Sequence, residues 1–455
     1  MRDSDLIARY DGRVPRYTSY PTAPHFTPGT DALSYAAWLA ELPEGEAVSL
    51  YLHVPFCDRL CLYCGCNTSV VHLEQPKRAY ARMLMREMEM VAACAGRRLR
   101  VSHVHWGGGT PTVLPPDCLT GIMDCVREHF EVIPGAEIAI EIDPASLQPD
   151  RLEALARMGI NRASLGVQDF DLAVQDAIGR HQSFEQTAAC AQALRGIGVR
   201  SLNLDLIYGL PRQNEESLER TARKALALRA DRVAVFGYAH VPWMKKHQSL
   251  IPEDTLPGAA ARFAQAKMVR RVLEREGGYI PVGLDHFARP GDAMAEAALG
   301  RQLHRSFQGY TTDAAPALIG LGASAIGSLP QGYVQNAPTV PAYGAAIGQN
   351  RLATSRGVAL SPDDRLRRAV IESIMCELEV DLRAQAAAFD ADPAPLLADA
   401  RALAGFKADG LVEWDGTRIE VNEAGRPFVR NVAALFDRYL AGQAQAQTPR
   451  HAVAV

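Results

Sequence analysis

Four of the nine cysteines, Cys57, Cys61, Cys64 and Cys66, fall within ten residues. The first three make a C-x3-C-x2-C arrangement, and thiolates are soft ligands that suit zinc or iron–sulfur centres. Three thiolates on one compact loop can reach three irons of a 4Fe-4S cubane. The fourth iron is then open, as a catalytic metal requires. A zinc site or a fully ligated cluster with Cys66 as fourth ligand would use the same thiolate chemistry, and the spacing alone leaves both readings open. The other five, Cys94, Cys118, Cys125, Cys190 and Cys376, are scattered singly and read as small buried hydrophobes. An odd count so distributed points to reduced thiols rather than a disulfide scaffold.

A second motif, GGGTPT at 107–112, follows the cysteines by the length of one strand and one helix. Without side chains, such glycines let a ligand approach the backbone closely, although a triple glycine alone can equally be a turn.

The elements that must hold these motifs are legible as alternation. Short β-rich runs at 48–54, 101–106, 137–142, 162–167, 200–207 and 232–238 are separated by segments with helical spacing of apolar residues at 76–95, 117–130, 149–158, 184–197, 215–228 and 259–276. That order predicts parallel strands with right-handed crossovers, an α/β fold built as a partial (β/α) TIM-like barrel. Chemistry in such barrels sits at the carboxyl ends of the strands, and both motifs directly follow predicted strands. Residues 279–357 are rich in Gly and Pro and poorly periodic, whereas 363–440 returns to helical spacing around a short strand pair at 411–414 and 418–421. The expected plan is an N-terminal extension at 1–47 that contributes to the substrate site, a catalytic domain at 48–357, a mainly helical domain at 358–441 and a flexible tail at 442–455.

A net charge of -4 over 455 residues gives no broad attraction to nucleic acid or anionic membrane. The first twenty residues lack the apolar core of a signal peptide, and no apolar run approaches a membrane span, so a cytoplasmic location is expected. A monomer is expected as well.

Longer strings carry a resemblance. PRYTSYPT at 15–22, CGCN at 64–67, HWGGGTPT at 105–112, GVQDF at 166–170, DLIYGLP at 205–211, YAH at 238–240, GLDHFARP at 283–290, FQGYTT at 307–312 and GASAI at 322–326 together resemble the oxygen-independent coproporphyrinogen III oxidase family of the radical S-adenosylmethionine superfamily. The likeness covers nearly the whole chain. It implies a 4Fe-4S cluster on Cys57, Cys61 and Cys64, and two S-adenosylmethionine molecules. By motif position, the first is contacted by Tyr51, Gly108, Glu141 and Ile326 with Tyr63 near its adenosyl part, and the second is surrounded by Gly109, Thr110, Gln168, Arg180, Asp205 and Ala239. These types make sense: strand-end acids accept hydrogen bonds from ribose or ammonium, and an arginine forks onto a carboxylate. Each acid could equally cap the next helix.

The resemblance further implies anaerobic oxidative decarboxylation of two propionates of coproporphyrinogen III to vinyl groups by a 5'-deoxyadenosyl radical, giving protoporphyrinogen IX in haem biosynthesis. A one-electron donor such as flavodoxin or ferredoxin is implied as partner. Arg16, Arg289 and Arg305 are candidate clamps for substrate carboxylates, while His105, His240 and His286 receive no role. Rival readings are a related haem chaperone, whose members generally lack the 16–22 string and Cys66, a radical methyltransferase or cyclopropanase on the same core, and a non-catalytic zinc or electron-transfer module. No basic, aromatic-interleaved domain suggests RNA as substrate.

Overall fold

The computed structural model describes residues 2–440. The expected tail at 442–455 lies outside the described residues. Six strands carry the βα repeat: β1 (Ala47–Val54), β2 (Arg100–Gly108), β3 (Glu131–Ile142), β4 (Arg162–Gln168), β5 (Ser201–Tyr208) and β6 (Arg232–Gly237). Each pairs in parallel with the next. The crossovers are α1 (Glu74–Ala95), α2 (Pro116–His129), α3 (Pro149–Met158), α4 (Phe184–Gly196) and α5 (Glu215–Ala227), and α6 (Ala259–Arg271) follows β6.

Alternation along the strands determines what faces inward. In β4, Ala163, Leu165 and Val167 are buried against the outer layer, while Arg162, Ser164, Gly166 and Gln168 line a central cavity. The same cavity takes His103 and His105 from β2, Glu137 and Glu141 from β3, and Asn203 and Asp205 from β5. Inward residues of four successive strands can share one cavity only if the sheet curls around it. The helices answer with apolar stripes: α1 buries Tyr80, Leu84, Met88, Val91 and Ala95 at spacings of three and four, and stops at Gly96 in the left-handed conformation.

The segment at 279–357, expected to be irregular, supplies the other half of the sheet. It contains β7 (Ile280–Val282), β8 (His286–Ala288), β9 (Leu318–Leu321), β10 (Ile326–Leu329) and β11 (Gly332–Asn336), and β12 (Thr354–Ala359) crosses the boundary expected at 357. The strand order is β12-β11-β10-β9-β1-β2-β3-β4-β5-β6-β8-β7. Only β9 joins the parallel set; β8 runs antiparallel to β6, and β10 to β12 form an antiparallel meander. The two end strands each have one neighbour, so the curl stays open and the barrel is partial.

One carboxylate interrupts the stripe of α1. Glu87 is fully buried and accepts hydrogen bonds from Gly322 N (2.6 Å), Asn336 Nδ2 (2.6 Å) and Tyr343 Oη (2.7 Å). It pins the β9–β10 connection against the helix layer, and Tyr80 Oη assists by donating to His53 O while accepting from Ala323 N. Burial pushes the Glu87 carboxyl up to about 7 despite those three donors.

The C-terminal region is helical, as expected, and its strand pair gains a third member: Glu379–Asp381 pairs with Arg418–Val421, which pairs with Val412–Trp414. The N-terminal extension is not irregular. It forms helices Asp3–Tyr10 and Ala32–Ala40, and Leu6, Ile7, Tyr10, Tyr17 and Tyr20 share one core with Val370, Ile374, Phe406, Phe428 and Phe436. Tyr10 Oη donates to Asp409 at 2.6 Å and Tyr17 Oη to Asp437 at 3.0 Å, so the N-terminal extension and the C-terminal helical region close on each other. No helix among the described residues is long and apolar enough to cross a membrane.

Candidate active site

After β1 the chain makes a short parallel bridge, Phe56 and Cys57 against Ser69 and Val70, which closes the cysteine loop at its base. Gly109 N donates to Val54 O (2.8 Å) and Thr110 N to Phe56 O (2.8 Å), so the glycine motif after β2 is stitched to the loop after β1. A Cβ on Gly107 would lie 2.7 Å from Glu141 Oε1, and Gly108 adopts a φ of 112° while donating its N–H to Glu141 Oε2 at 3.1 Å. Side chains are excluded here by the close approach of Glu141 and His53.

Every sulfur of the motif has a hydrogen-bond partner. Cys57 Sγ meets Thr68 Oγ1 at 3.1 Å and Thr110 Oγ1 at 3.6 Å. Cys61 Sγ accepts from Arg180 Nη1 at 3.5 Å, and Cys64 Sγ from Cys66 N at 3.4 Å. A hydrogen bond from the Cys66 thiol, aided by its N–H and by the charges of His247 and Lys245, brings the Cys64 thiol down to about 6, whereas burial raises that of Cys57. All three face a cavity of about 1020 Å³. A polynuclear cluster held by three thiolates fits that donor set, and N–H and O–H groups aimed at its sulfurs would tune its potential.

Of the residues implied for S-adenosylmethionine, Tyr63, Gly108, Gly109, Thr110, Glu141, Gln168, Arg180, Asp205 and Ala239 line this cavity. Glu141 Oε1 also meets His105 Nε2 at 3.2 Å. Asp205 accepts from Ser164 Oγ (2.9 Å) and Asn203 Nδ2 (2.8 Å), and burial raises its carboxyl. Gln168 sits at a φ of 66°, a left-handed conformation uncommon outside glycine. Arg180 is already engaged: it donates to Gly166 O at 2.6 Å and Cys61 Sγ, and pairs with Asp143 at 3.1 Å, leaving Nε without a partner. Two residues stand off the wall. Tyr51 Oη meets His53 Nδ1 at 3.0 Å, and Ile326 packs beside Phe26, Tyr333 and Leu360.

The far side of the cavity is basic. Arg16 Nη2 donates to Gly237 O at 2.7 Å, and Arg305 Nη2 to Arg16 O at 3.0 Å with its guanidinium 4.3 Å from the Tyr310 ring centroid. Arg430 lies behind them; burial and the charge of Arg16 bring it down to about 10. Burial alone would raise Asp285, but the hydrogen bond from His286 Nδ1 (2.7 Å) and the charges of His286, Arg305 and Arg16 pull it to about 2. Arg289 does not belong to this group. Because β8 runs antiparallel to β6, residue 289 is carried to the amino end of the barrel, where its N–H bonds Asp231 O, and its side chain is exposed. His240 also lies off the wall, paired with Tyr238 Oη at 3.0 Å.

Sequence reasoning missed a strap over the cysteine loop. Gln248 Nε2 donates to Tyr63 O (2.8 Å), His247 Nε2 lies 2.7 Å from Cys64 O, and Lys245 Nζ donates to Cys66 O (2.8 Å). The string PWMKKHQ has no metal-ligand or glycine pattern, so only the tertiary fold brings it to the cysteines.

The Radical SAM superfamily matches residues 51–225, and the HemN C-terminal domain matches residues 360–428. A Bradyrhizobium diazoefficiens protein named oxygen-independent coproporphyrinogen III oxidase is 52% identical over 438 residues, covering 96% of this chain and 97% of its own. The chain belongs to the oxygen-independent coproporphyrinogen III oxidase family. A Paracoccus denitrificans protein of the same name is 44% identical over 96% of both chains. The solved coproporphyrinogen III oxidase (HemN) of Escherichia coli, titled a radical SAM enzyme, matches with a TM-score of 0.90 at 38% identity, over 96% of this chain and 99% of that one. Membership in the radical SAM superfamily implies a 4Fe-4S cluster and S-adenosylmethionine.

Proposed function

We propose that this chain is an oxidoreductase that converts coproporphyrinogen III to protoporphyrinogen IX without oxygen, by oxidative decarboxylation of two propionates to vinyl groups in haem biosynthesis. The observation that carries the reading is that the three thiols and the arginines Arg16 and Arg305 stand on the wall of one cavity. Cys57, Cys61 and Cys64 would hold the 4Fe-4S cluster. When bound, the cluster and S-adenosylmethionine would supply the one-electron chemistry for removal of a hydrogen atom from the β-carbon of a propionate, with release of carbon dioxide and transfer of the remaining electron to a one-electron acceptor.

The residues of the chain bind, orient and exclude water. Gly108 and Glu141 offer a backbone approach and a carboxylate for a first S-adenosylmethionine, with Tyr63 in the wall and Tyr51 and Ile326 behind it. Gly109, Thr110, Gln168, Arg180, Asp205 and Ala239 would surround a second. Arg16 and Arg305 would hold substrate carboxylates by charge-assisted hydrogen bonds. Residues Arg16 to Tyr20 of the N-terminal string line the cavity, which supports decarboxylation over haem carriage. The electron would come from a small carrier such as flavodoxin or ferredoxin, to a monomer in the cytoplasm. The test is anaerobic: reconstituted protein, coproporphyrinogen III, S-adenosylmethionine and dithionite should yield protoporphyrinogen IX and 5'-deoxyadenosine, and Cys61→Ser neither. Deoxyadenosine without decarboxylation from the unaltered protein would refute the substrate.

A further inference from the structure

The strap at 241–250 that holds the cysteine loop has an outward face that the chemistry of the cavity leaves unused. Its side chains Lys245, His247 and Gln248 turn inward to the carbonyls of Cys66, Cys64 and Tyr63. Val241 lines the cavity, and five further side chains face solvent: Trp243 is 39% exposed, Met244 59% and Leu250 66%, and Lys246 and Ser249 are also exposed. The guanidinium of Arg13 lies 4.9 Å from the Trp243 ring centroid. The ten residues 241–250 include two lysines and a histidine and no acid.

The geometry points to this face as the docking surface for an acidic one-electron carrier protein, an inference that rests on the proposed reading of the cavity. The carrier loses one electron and the group on Cys57, Cys61 and Cys64 gains it. Electron transfer weakens steeply with distance, so the carrier must come as close to the thiols as the fold permits. The cavity side of the thiols is reserved for cofactor and substrate. On the other side, the peptide carbonyls from Tyr63 to Cys66 lead through single hydrogen bonds into the strap, and beyond the strap is solvent. An exposed aromatic and a flexible thioether, with lysine and arginine beside them, match what a small transient interface uses: an apolar centre and a charged rim that steers the encounter.

Lys246→Glu, Met244→Ser and Trp243→Ser test this, since none of these side chains touches the cysteine loop or lines the cavity. The probe is flavodoxin, titrated in its oxidised form by calorimetry into the purified protein. The reduced form is then used to drive protoporphyrinogen formation in parallel with dithionite. Expected are a Kd at least tenfold weaker for Lys246→Glu, about fivefold weaker for the other two, and a flatter salt dependence for Lys246→Glu. Turnover with dithionite should stay within twofold of the unaltered protein while flavodoxin-driven turnover falls. Unchanged affinity in all three variants, or an equal loss with both reductants, would overturn the docking surface. If the unaltered protein makes no product even with dithionite, the decarboxylase reading fails, while the titration still decides whether the carrier binds this face.

Discussion

Glu87 offers a prediction whose size can be worked from the structure. Its carboxyl is fully buried and receives three hydrogen bonds, and its pKa stands at about 7 against the usual 4.5. A carboxyl raised in the fold binds its proton more tightly folded than unfolded, so its contribution to stability is full below pH 4.5 and is lost as pH rises toward 7 and beyond. The difference of 2.5 units between those two values corresponds to about 3 kcal/mol. Glu87→Gln cannot titrate. Its amide oxygen can serve only one side of the network, and its NH2 confronts a donor, so it costs about 1–2 kcal/mol at pH 5. That deficit should shrink or reverse by pH 8. Glu87→Ala strands three buried donors at about 1–3 kcal/mol each, a large share of the roughly 5–15 kcal/mol that holds a domain together. Urea unfolding of the unaltered protein and of Glu87→Gln from pH 5 to 8 at fixed ionic strength reads the effect. Parallel stability curves for these two proteins would show that the carboxyl does not titrate in this window, and the reasoning would be wrong.

Arg180→Ala should cost about 3–5 kcal/mol, because it leaves Asp143 with Arg59 alone and Cys61 without its donor, and iron retention during gel filtration should fall with thermal stability. Arg305→Gln should raise KM for coproporphyrinogen III at least tenfold, whereas Arg289→Gln, at the amino end of the barrel, should leave it unchanged; steady-state kinetics separates them. His247→Ala removes the partner of Cys64 O and one cation beside the thiol, so the Cys64 pKa should rise from about 6, which alkylation rate against pH in the metal-free protein measures. Leu84→Ala, in the buried stripe of α1, should cost about 2–5 kcal/mol in urea unfolding.

What the sequence disclosed follows a physical line. The six parallel strands were legible because each β-rich run is followed by a segment of helical spacing, in regular alternation. β7 to β12 were not, because they are three to six residues long and the β9–β12 meander joins the sheet through a partner far along the chain: Ser49 to Leu52 set the register of Leu318 to Leu321 across some 270 positions. Pro281 and the glycines at 320, 327, 332 and 357 further blurred that stretch. In the site, the spacing of Cys57, Cys61 and Cys64 marked a thiolate-rich loop and the glycines after β2 a close backbone approach, and both line the same cavity. Arg289 was misplaced because residue type says nothing of strand direction. Lys245, His247 and Gln248 were invisible because they act through backbone carbonyls, which any residue supplies.

The shared core of the chain's two ends has a consequence for synthesis. Arg16 is held at the cavity by Gly237 O and Arg305, and the segment that carries it is seated through Tyr10, Tyr17 and Tyr20 among residues beyond 360. The barrel strands can pair as they emerge, but the seat of the N-terminal extension forms only once residues 366–437 have left the ribosome, since its contacts join segments some four hundred residues apart. An unfinished chain can therefore carry the cysteine loop while the segment that bears Arg16 is still without its seat.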